Sequence, residues 1–352
     1  MTIKEVAERA GVSTATVSRV LNDPNYRCAQ EGVRERVWQA AMDLNYTPNE
    51  AARNLKLRTA AQEASFFQVL MTRAGAESEN DPFFRELLHH VETEIAAKHC
   101  VLTGIQYRVE FSDDKRCARM DAAAQVRKMR AGGGERCDGI IVIGKCNSRI
   151  LREVKQQYGH VVAINRNSAD YAVDEVLCDG RKMASAAIEH LIGLGHTRIG
   201  YVGVCHNESR YRGYQSTLRE HGLELIPSYV RETRQTEEEG FAAMQAFLQQ
   251  ADAPTAFYCA NDLTAIGMLR CLEGMRHLRL RPSIVASDDI EAAQTTTPML
   301  STVRVPQREM AHLAVQLLLD RRQGGHSGTV RVEVEGTLVQ RASCFKCEEP
   351  AG

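Results

Sequence analysis

The sequence predicts an N-terminal all-α helix-turn-helix head followed by a two-lobed α/β body built on parallel sheets. Three observations carry that prediction. Two short helical patterns meet at Gly11 within the first 22 residues. From about residue 66 onward, short apolar runs alternate with helical patterns. At 352 residues the chain is too long for one ordinary hydrophobic core, so two or three compact units are expected.

The head begins TIKEVAERAGVSTATVSRVLN. Thr2 with Glu5 fits a capping box, which starts a helix at once. Val6 and Ala10 fall on one face of it. Gly11 breaks it, and Ser13 caps a second helix over 14–21. Two short helices joined by a tight glycine turn form a helix-turn-helix, whose second helix enters a DNA major groove. Thr14, Ala15, Thr16 and Ser18, followed by Arg19, suit base edges and phosphates. An αα-hairpin opening any globular domain is the plainer alternative.

Residues 31–46 place Val33, Val37, Ala40, Ala41 and Leu44 at helical spacing, and this third helix closes a small core with Val6, Val17, Val20 and Leu21. Trp38 falls at the rim of the stripe. Pro48 stops the third helix and begins a short one over 49–57, because its fixed φ suits a first helical turn. That helix is marginal alone in water. Its strip of Ala51, Ala52 and Leu55 needs a surface supplied by a second copy or by DNA. The expected organisation is a head over 1–47, a hinge helix over 48–58, a body over 66–341 and a disordered tail over 342–352.

In the body, apolar runs at 66–71, 101–105, 139–144, 161–164, 199–204, 256–259 and 284–286 alternate with helical patterns at 83–98, 181–194, 237–250 and 263–275. Such alternation implies parallel sheets covered by helices on both faces, here in two lobes with a cleft between them. Ligands of such folds collect at the carboxyl ends of strands. There stand Asn165-Arg166, Asn261-Asp262 and Asp288-Asp289, with Arg210 three residues before Gly213. Amide, carboxylate and guanidinium groups converging on a cleft match the adjacent hydroxyls of a polyol. Each of these residues also has a structural reading, as a helix cap or a turn residue. Phe83 and Phe84 have two as well: a stacking face for a sugar, or the start of a core-facing helix.

Charge is balanced, at 44 basic and 45 acidic residues, which excludes a protein that holds nucleic acid by bulk positive charge. Residues 1–58 carry nine Lys/Arg against seven Asp/Glu, and the remainder 35 against 38, so the small excess lies on the head. No run approaches the roughly 20 apolar residues that span a bilayer. The N-terminus has no secretory apolar stretch, so a cytoplasmic location is expected. Eleven cysteines without a framework spacing read as reduced thiols. Cys344 and Cys347 form one CxxC without a second pair, so no metal is expected. Gly132–Gly134 lacks the downstream Lys-Ser/Thr of a phosphate loop, and no hydrolase, zinc-protease or dinucleotide motif is present, so neither a cofactor nor enzyme activity is expected. The Asp288-Asp289 pair does not serve as acid and base, because adjacent residues at a strand end point apart.

The segment VSTATVSRVLN, followed by Tyr-x-Pro-Asn-x-x-Ala-Arg-x-Leu over 46–55, resembles the head and hinge of the LacI/GalR family of transcriptional regulators. PTAFYCANDLTAIGMLR and HLIGLGHTRIGYVG resemble that family's effector domain, itself similar to periplasmic sugar-binding proteins. The resemblance implies a homodimer on a double-stranded, near-palindromic operator, with a small sugar held between the lobes. Thr14, Ala15 and Arg19 match base-reading positions, and Ser13, Thr16 and Ser18 suit phosphates and capping. Asn22 and Tyr46 are expected backbone contacts, with Thr2 and Asn49 completing the set. Arg53 supplies charge beside the minor groove, and Leu55 wedges between base pairs there.

Phe83, Asn165, Arg210, Asn261 and Asp288 are the expected effector contacts. The chain departs from the family where Ala286-Ser287-Asp288 replaces a Gly-aromatic-Asp wall. Asn80-Asp81-Pro82-Phe83-Phe84 and Ile143-Gly144-Lys145 resemble the branch of the evolved-β-galactosidase repressor, which points to a galactoside. The alternatives are a sugar-binding protein without a DNA role, and a regulator answering a non-sugar corepressor such as a purine. The resemblance implies a sugar that either releases the protein from its operator or tightens it there. The tail carries no leucine heptads, which favours a dimer over a tetramer.

Overall fold

A computed structural model describes residues 3–22, 26, 32–44, 64–73, 81–132, 136–165, 167–170, 172–273 and 281–347. The hinge helix expected over 48–58 lies outside the described residues. The chain divides into two compact units, Met1–Ala64 and Ser65–Gly352.

The head holds three helices, α1 Ile3–Ala10, α2 Thr14–Asn22 and α3 Val33–Asp43. Gly11 makes the turn at φ 65°, and the Val12 amide reaches back to the Ala7 carbonyl at 3.0 Å, closing the end of α1. Val6, Ala10, Val17, Val20, Val33, Val37 and Ala40 form its buried core, as their helical spacing requires. Trp38 stands 44% exposed at the rim.

The body contains strands β1 Phe66–Met71, β2 Val101–Tyr107, β3 Gly139–Ile143, β4 Val161–Asn165, β5 Asp174–Leu177, β6 Ile199–Gly203, β7 Val230–Glu232, β8 Ala256–Cys259, β9 Ser283–Asp288, β10 Ser301–Arg304, β11 Arg331–Glu333 and β12 Thr337–Val339. Its helices are α4 Pro82–Ala97, α5 Asp114–Arg119, α6 Ala122–Gly132, α7 Ser148–Tyr158, α8 Gly180–Gly193, α9 Ser209–Glu220, α10 Glu237–Leu248, α11 Asp262–Glu273 and α12 Gln307–Arg322. One sheet runs β11-β5-β4-β3-β1-β2 with every pairing parallel, and the other β12-β10-β9-β8-β6-β7 with only β12 antiparallel. Each sheet starts in its middle and reverses direction, at β1/β3 in the first lobe and β6/β8 in the second. Such reversals open a crevice at the carboxyl edge. The chain crosses between lobes three times, after β5, β10 and β11. The Val334 amide donates to the Leu177 carbonyl at 2.7 Å, tying two crossings together.

Glycine sets one close approach. A Cβ on Gly267 in α11 would overlap the Glu237 carbonyl, and one on Gly240 in α10 would overlap the Thr264 carbonyl. Gly267→Ala is therefore expected to cost roughly 1–3 kcal/mol through overpacking, exceeding the roughly 1 kcal/mol that alanine gains in a helix. Urea unfolding measures it; a variant at least as stable as the parent would show that the two helices have room.

The tail departs from expectation. The sequence predicts disorder over 342–352, yet residues 342–347 pack on the second lobe, and 348–352 lie outside the described residues. The Ser343 hydroxyl donates to the Ile284 carbonyl at 2.6 Å and accepts from the Ser301 amide at 2.7 Å, while the Cys347 amide donates to the Leu194 carbonyl at 2.8 Å. Buried His196 anchors this segment, with Nε2 3.1 Å from the Phe345 carbonyl and Nδ1 3.0 Å from the Thr255 hydroxyl. Tail residues thus complete a polar network whose other half lies in β9 and the turn before β6.

Burial holds the His196 imidazole below its ordinary value of 6.5, against the opposing pull of the Phe345 carbonyl. A histidine with a depressed folded value takes up a proton on unfolding. Its stabilisation is full above about 6.5 and falls as pH drops through that value. Between about pH 7.5 and 5.5 the melting point is expected to fall more in the parent than in His196→Gln. Parallel curves would remove His196 as the cause.

Candidate functional site

The first candidate surface is the open face of α2. Val17 and Val20 turn into the head's core, which leaves Thr14, Ala15 and Arg19 exposed and Thr16 and Ser18 half-buried. Exposed Ser13 caps the helix, its hydroxyl accepting from the Thr16 amide at 3.1 Å. The Arg19 guanidinium lies 5.8 Å from the centre of the Tyr26 ring, a contact that orients it. Asn22 ends α2. Thr2, Tyr46, Asn49, Arg53 and Leu55 lie outside the described residues.

The second is a cavity of about 540 Å³ inside the body, where the carboxyl end of the first sheet faces the second lobe. Gly144 after β3, Asn165 at the end of β4 and Leu177 at the end of β5 form its floor. Asn207, Ser209 and Arg212, following β6, approach from the other lobe with Arg181. Local sequence explains the wall. Asn147 and Asp179 cap α7 and α8, accepting from the Arg149 amide at 3.0 Å and the Arg181 amide at 2.8 Å. These two caps set both helix starts at the cavity's edge. Asn147 also donates to Asp114 at 2.6 Å, and Lys145 pairs with the same carboxylate at 3.5 Å. Burial pushes the Cys146 thiol up to about 12, so it is a neutral wall element at physiological pH.

Of the five residues expected to contact an effector, this cavity is lined by Asn165 and by none of the other four. Phe83 offers no stacking face: it is 3% exposed, within the apolar core and edge-on to Phe84 at 5.1 Å, the core-facing reading of that pair. Arg210 is fully buried beneath the wall. Its guanidinium grips Glu208 through two bonds of 2.8 and 2.9 Å and donates to the Ala260 carbonyl. Burial disfavours that guanidinium's charge, but the Glu208 carboxylate outweighs burial and holds it ionised.

Asn261 is used as a cap, accepting from the Thr264 amide at 3.1 Å and donating to the Gln235 carbonyl at 3.0 Å. Asp288, at φ 134°, opens onto a different cavity of about 710 Å³ beside Arg304 and Gln307. Such backbone angles are costly for a non-glycine residue. Behind it, burial and the Asp288 carboxylate raise the Asp262 carboxyl well above its usual value.

Sequence reasoning missed Asn147, Asp179, Arg181, Arg212 and Arg331, all on the cavity wall. A signal for two of them existed. Asn147-Ser148 follows the apolar run at 139–144, and Asp179-Gly180 directly precedes the helical pattern at 181–194, positions that suit helix caps. Among the described residues no aromatic ring lines the cavity, and no cluster of His, Cys, Asp and Glu is arranged to hold a metal. No described helix is long and apolar enough to cross a membrane.

Residues 2–49 match the family described as bacterial regulatory proteins, lacI family, and residues 188–344 match the periplasmic binding protein-like domain. Over 355 aligned residues the chain is 29% identical to the HTH-type transcriptional repressor PurR of Haemophilus influenzae, covering 97% of this chain and 98% of that one. Solved structures share its fold, among them two that align over nearly the whole chain. The transcriptional regulator CelR–cellobiose complex aligns at TM-score 0.67 with 23% identity, over 98% of this chain and all of that one. The lac repressor dimer bound to operator and the anti-inducer ONPF aligns at TM-score 0.65 with 24% identity, over 98% and 99%.

Proposed function

We propose that the chain is a DNA-binding transcriptional repressor of the LacI family with a ligand-binding body, controlling carbohydrate-utilisation genes in the cytoplasm by sensing a small sugar. One observation carries this reading: a head with an exposed, arginine-bearing second helix shares a chain with a two-lobed body enclosing a polar cavity of about 540 Å³. That size and lining suit a small polyhydroxylated ligand. Among the described residues the lining is polar and aliphatic, which suits a sugar's hydroxyls.

In this reading two copies pair, and their heads occupy two half-sites of a near-palindrome of roughly 20 base pairs. Thr14, Ala15 and Arg19 read bases. Leu55, outside the described residues, wedges the minor groove. A ligand spanning the lobes changes their angle and so the spacing of the hinges. Coupling is reciprocal: a ligand that weakens operator binding is itself bound more weakly on the operator. A galactoside is the sugar to which the segments at 80–84 and 143–145 point.

Selection of genomic fragments at low ionic strength, with and without a sugar panel, tests the reading. The expected outcome is a preferred near-palindrome whose affinity falls steeply with salt and shifts with one sugar. Fragments bound without preference in every condition would refute it.

A further inference from the structure

The second lobe presents two guanidinium groups to the interlobe cavity, beside the neutral side chains of Asn207 and Ser209. Two of the residues expected to recognise a neutral sugar are used elsewhere: Asn261 caps a helix, and the Arg210 guanidinium is taken up by Glu208 and Ala260. Facing the space instead are Arg181, in the first turn of α8, and Arg212, in the first turn of α9. Both are exposed, and neither has a carboxylate partner among the described residues.

The two are also held close together. Gly213 lets α9 press onto α8, where a Cβ would stand 2.6 Å from the Arg181 carbonyl and 2.8 Å from the Arg181 Cα. Helix packing therefore brings the backbones of two arginines together on one wall, where a single bound anion can meet both charges.

Other charges on the wall do not supply it. Asp179 caps α8 through the Arg181 amide, and Asp114 serves Asn147 and Lys145. Arg331, also on the wall, has its own carboxylate in Glu175 at 3.6 Å. Asp170 is exposed on the first lobe, its amide held by the Ser168 hydroxyl at 3.0 Å. Across the space, Lys145 sits in an exposed pair that a better anion displaces at little cost.

Resting on the regulator reading above, we infer that the cavity's ligand is a sugar bearing an anionic group, a phosphate ester or a carboxylate. Arg181 and Arg212 hold the anion, and the Asn165 side of the floor meets the hydroxyls. Bidentate guanidinium contacts to such oxyanions are strong and directional. A ligand anchored on the second lobe and reaching Lys145 on the first also bridges the lobes, as an effector that changes their angle must.

The test is thermal shift and calorimetry on the full chain in phosphate-free, low-salt buffer. Galactose, glucose and cellobiose are compared with galactose 6-phosphate, glucose 6-phosphate, galacturonate, gluconate and inorganic phosphate. A sugar anion is expected to raise the melting point where its neutral parent does not, with affinity falling as salt rises. Arg181→Gln/Arg212→Gln is expected to melt like the parent without ligand and to bind that anion at least about tenfold more weakly.

The inference is overturned by silence from every sugar anion, by equal binding of the neutral parent, by unchanged affinity in the double variant, or by inorganic phosphate binding as well as the sugar phosphate. An operator assay separates the two readings. A neutral sugar that stabilises the chain and shifts operator affinity keeps the regulator and sinks the anion. Operator binding that no compound alters strikes the sensing function itself.

Discussion

Replacing Glu208 with alanine is expected to destabilise the body by about 3–5 kcal/mol, among the largest single effects the fold offers. Glu208 and Arg210 are 3% and 1% exposed, so water cannot replace the lost carboxylate. The Ala260 carbonyl remains, but one neutral acceptor does not balance a buried cation. Tyr201 and Tyr258 pack in the same lobe with their rings 6.0 Å apart, and their hydroxyls already serve the Val204 carbonyl and Ser287. They have little left to give. Removing both charges at once is the informative control: Glu208→Leu/Arg210→Met keeps volume without an orphan charge and is expected to lose far less than the single variant. Chemical unfolding of the three proteins decides it. A Glu208→Ala loss below about 1 kcal/mol would mean that water enters this site.

That pair also marks where the sequence stopped being legible. The head could be read almost residue by residue, since Val6, Val17, Val20 and Val37 follow helical spacing and Gly11 punctuates them. Strands such as β3 and β8 announced themselves as apolar runs. Strand β5 did not, because Asp174 and Glu175 are buried inside it and read as loop residues. Their partners Arg321, His326 and Arg331 lie far along the chain, so nothing local shows that the charges are satisfied.

Arg210 failed in the opposite way. Its position after an apolar strand fits a ligand contact, and only the turn between β6 and α9 folds Glu208 onto it. The tail misled because its order comes from Ser283, Ser301 and Ile284 rather than from any pattern of its own.

Replacing Arg19 with alanine is expected to weaken operator binding by about 1–3 kcal/mol at each half-site. In the proposed homodimer both heads lose the contact, so the effect on one operator is about 2–6 kcal/mol, roughly 30- to 20,000-fold. The head's fold is not at stake. Arg19 is exposed, and the core of Val17 and Val20 lies on the opposite face of α2. What distinguishes a base contact from a phosphate contact is the pattern of loss. Base reading predicts that discrimination collapses at one position of each half-site and is kept elsewhere, and that Arg19→Lys recovers little, because an ammonium lacks the planar fork that grips guanine. A phosphate contact predicts uniform weakening across all operator variants, a salt slope reduced by about one per head, and substantial rescue by lysine. Competition binding over single-base operator variants, repeated along a salt series, separates the two. Uniform loss with lysine rescue would take Arg19 out of base recognition and leave Thr14 and Ala15 to carry it.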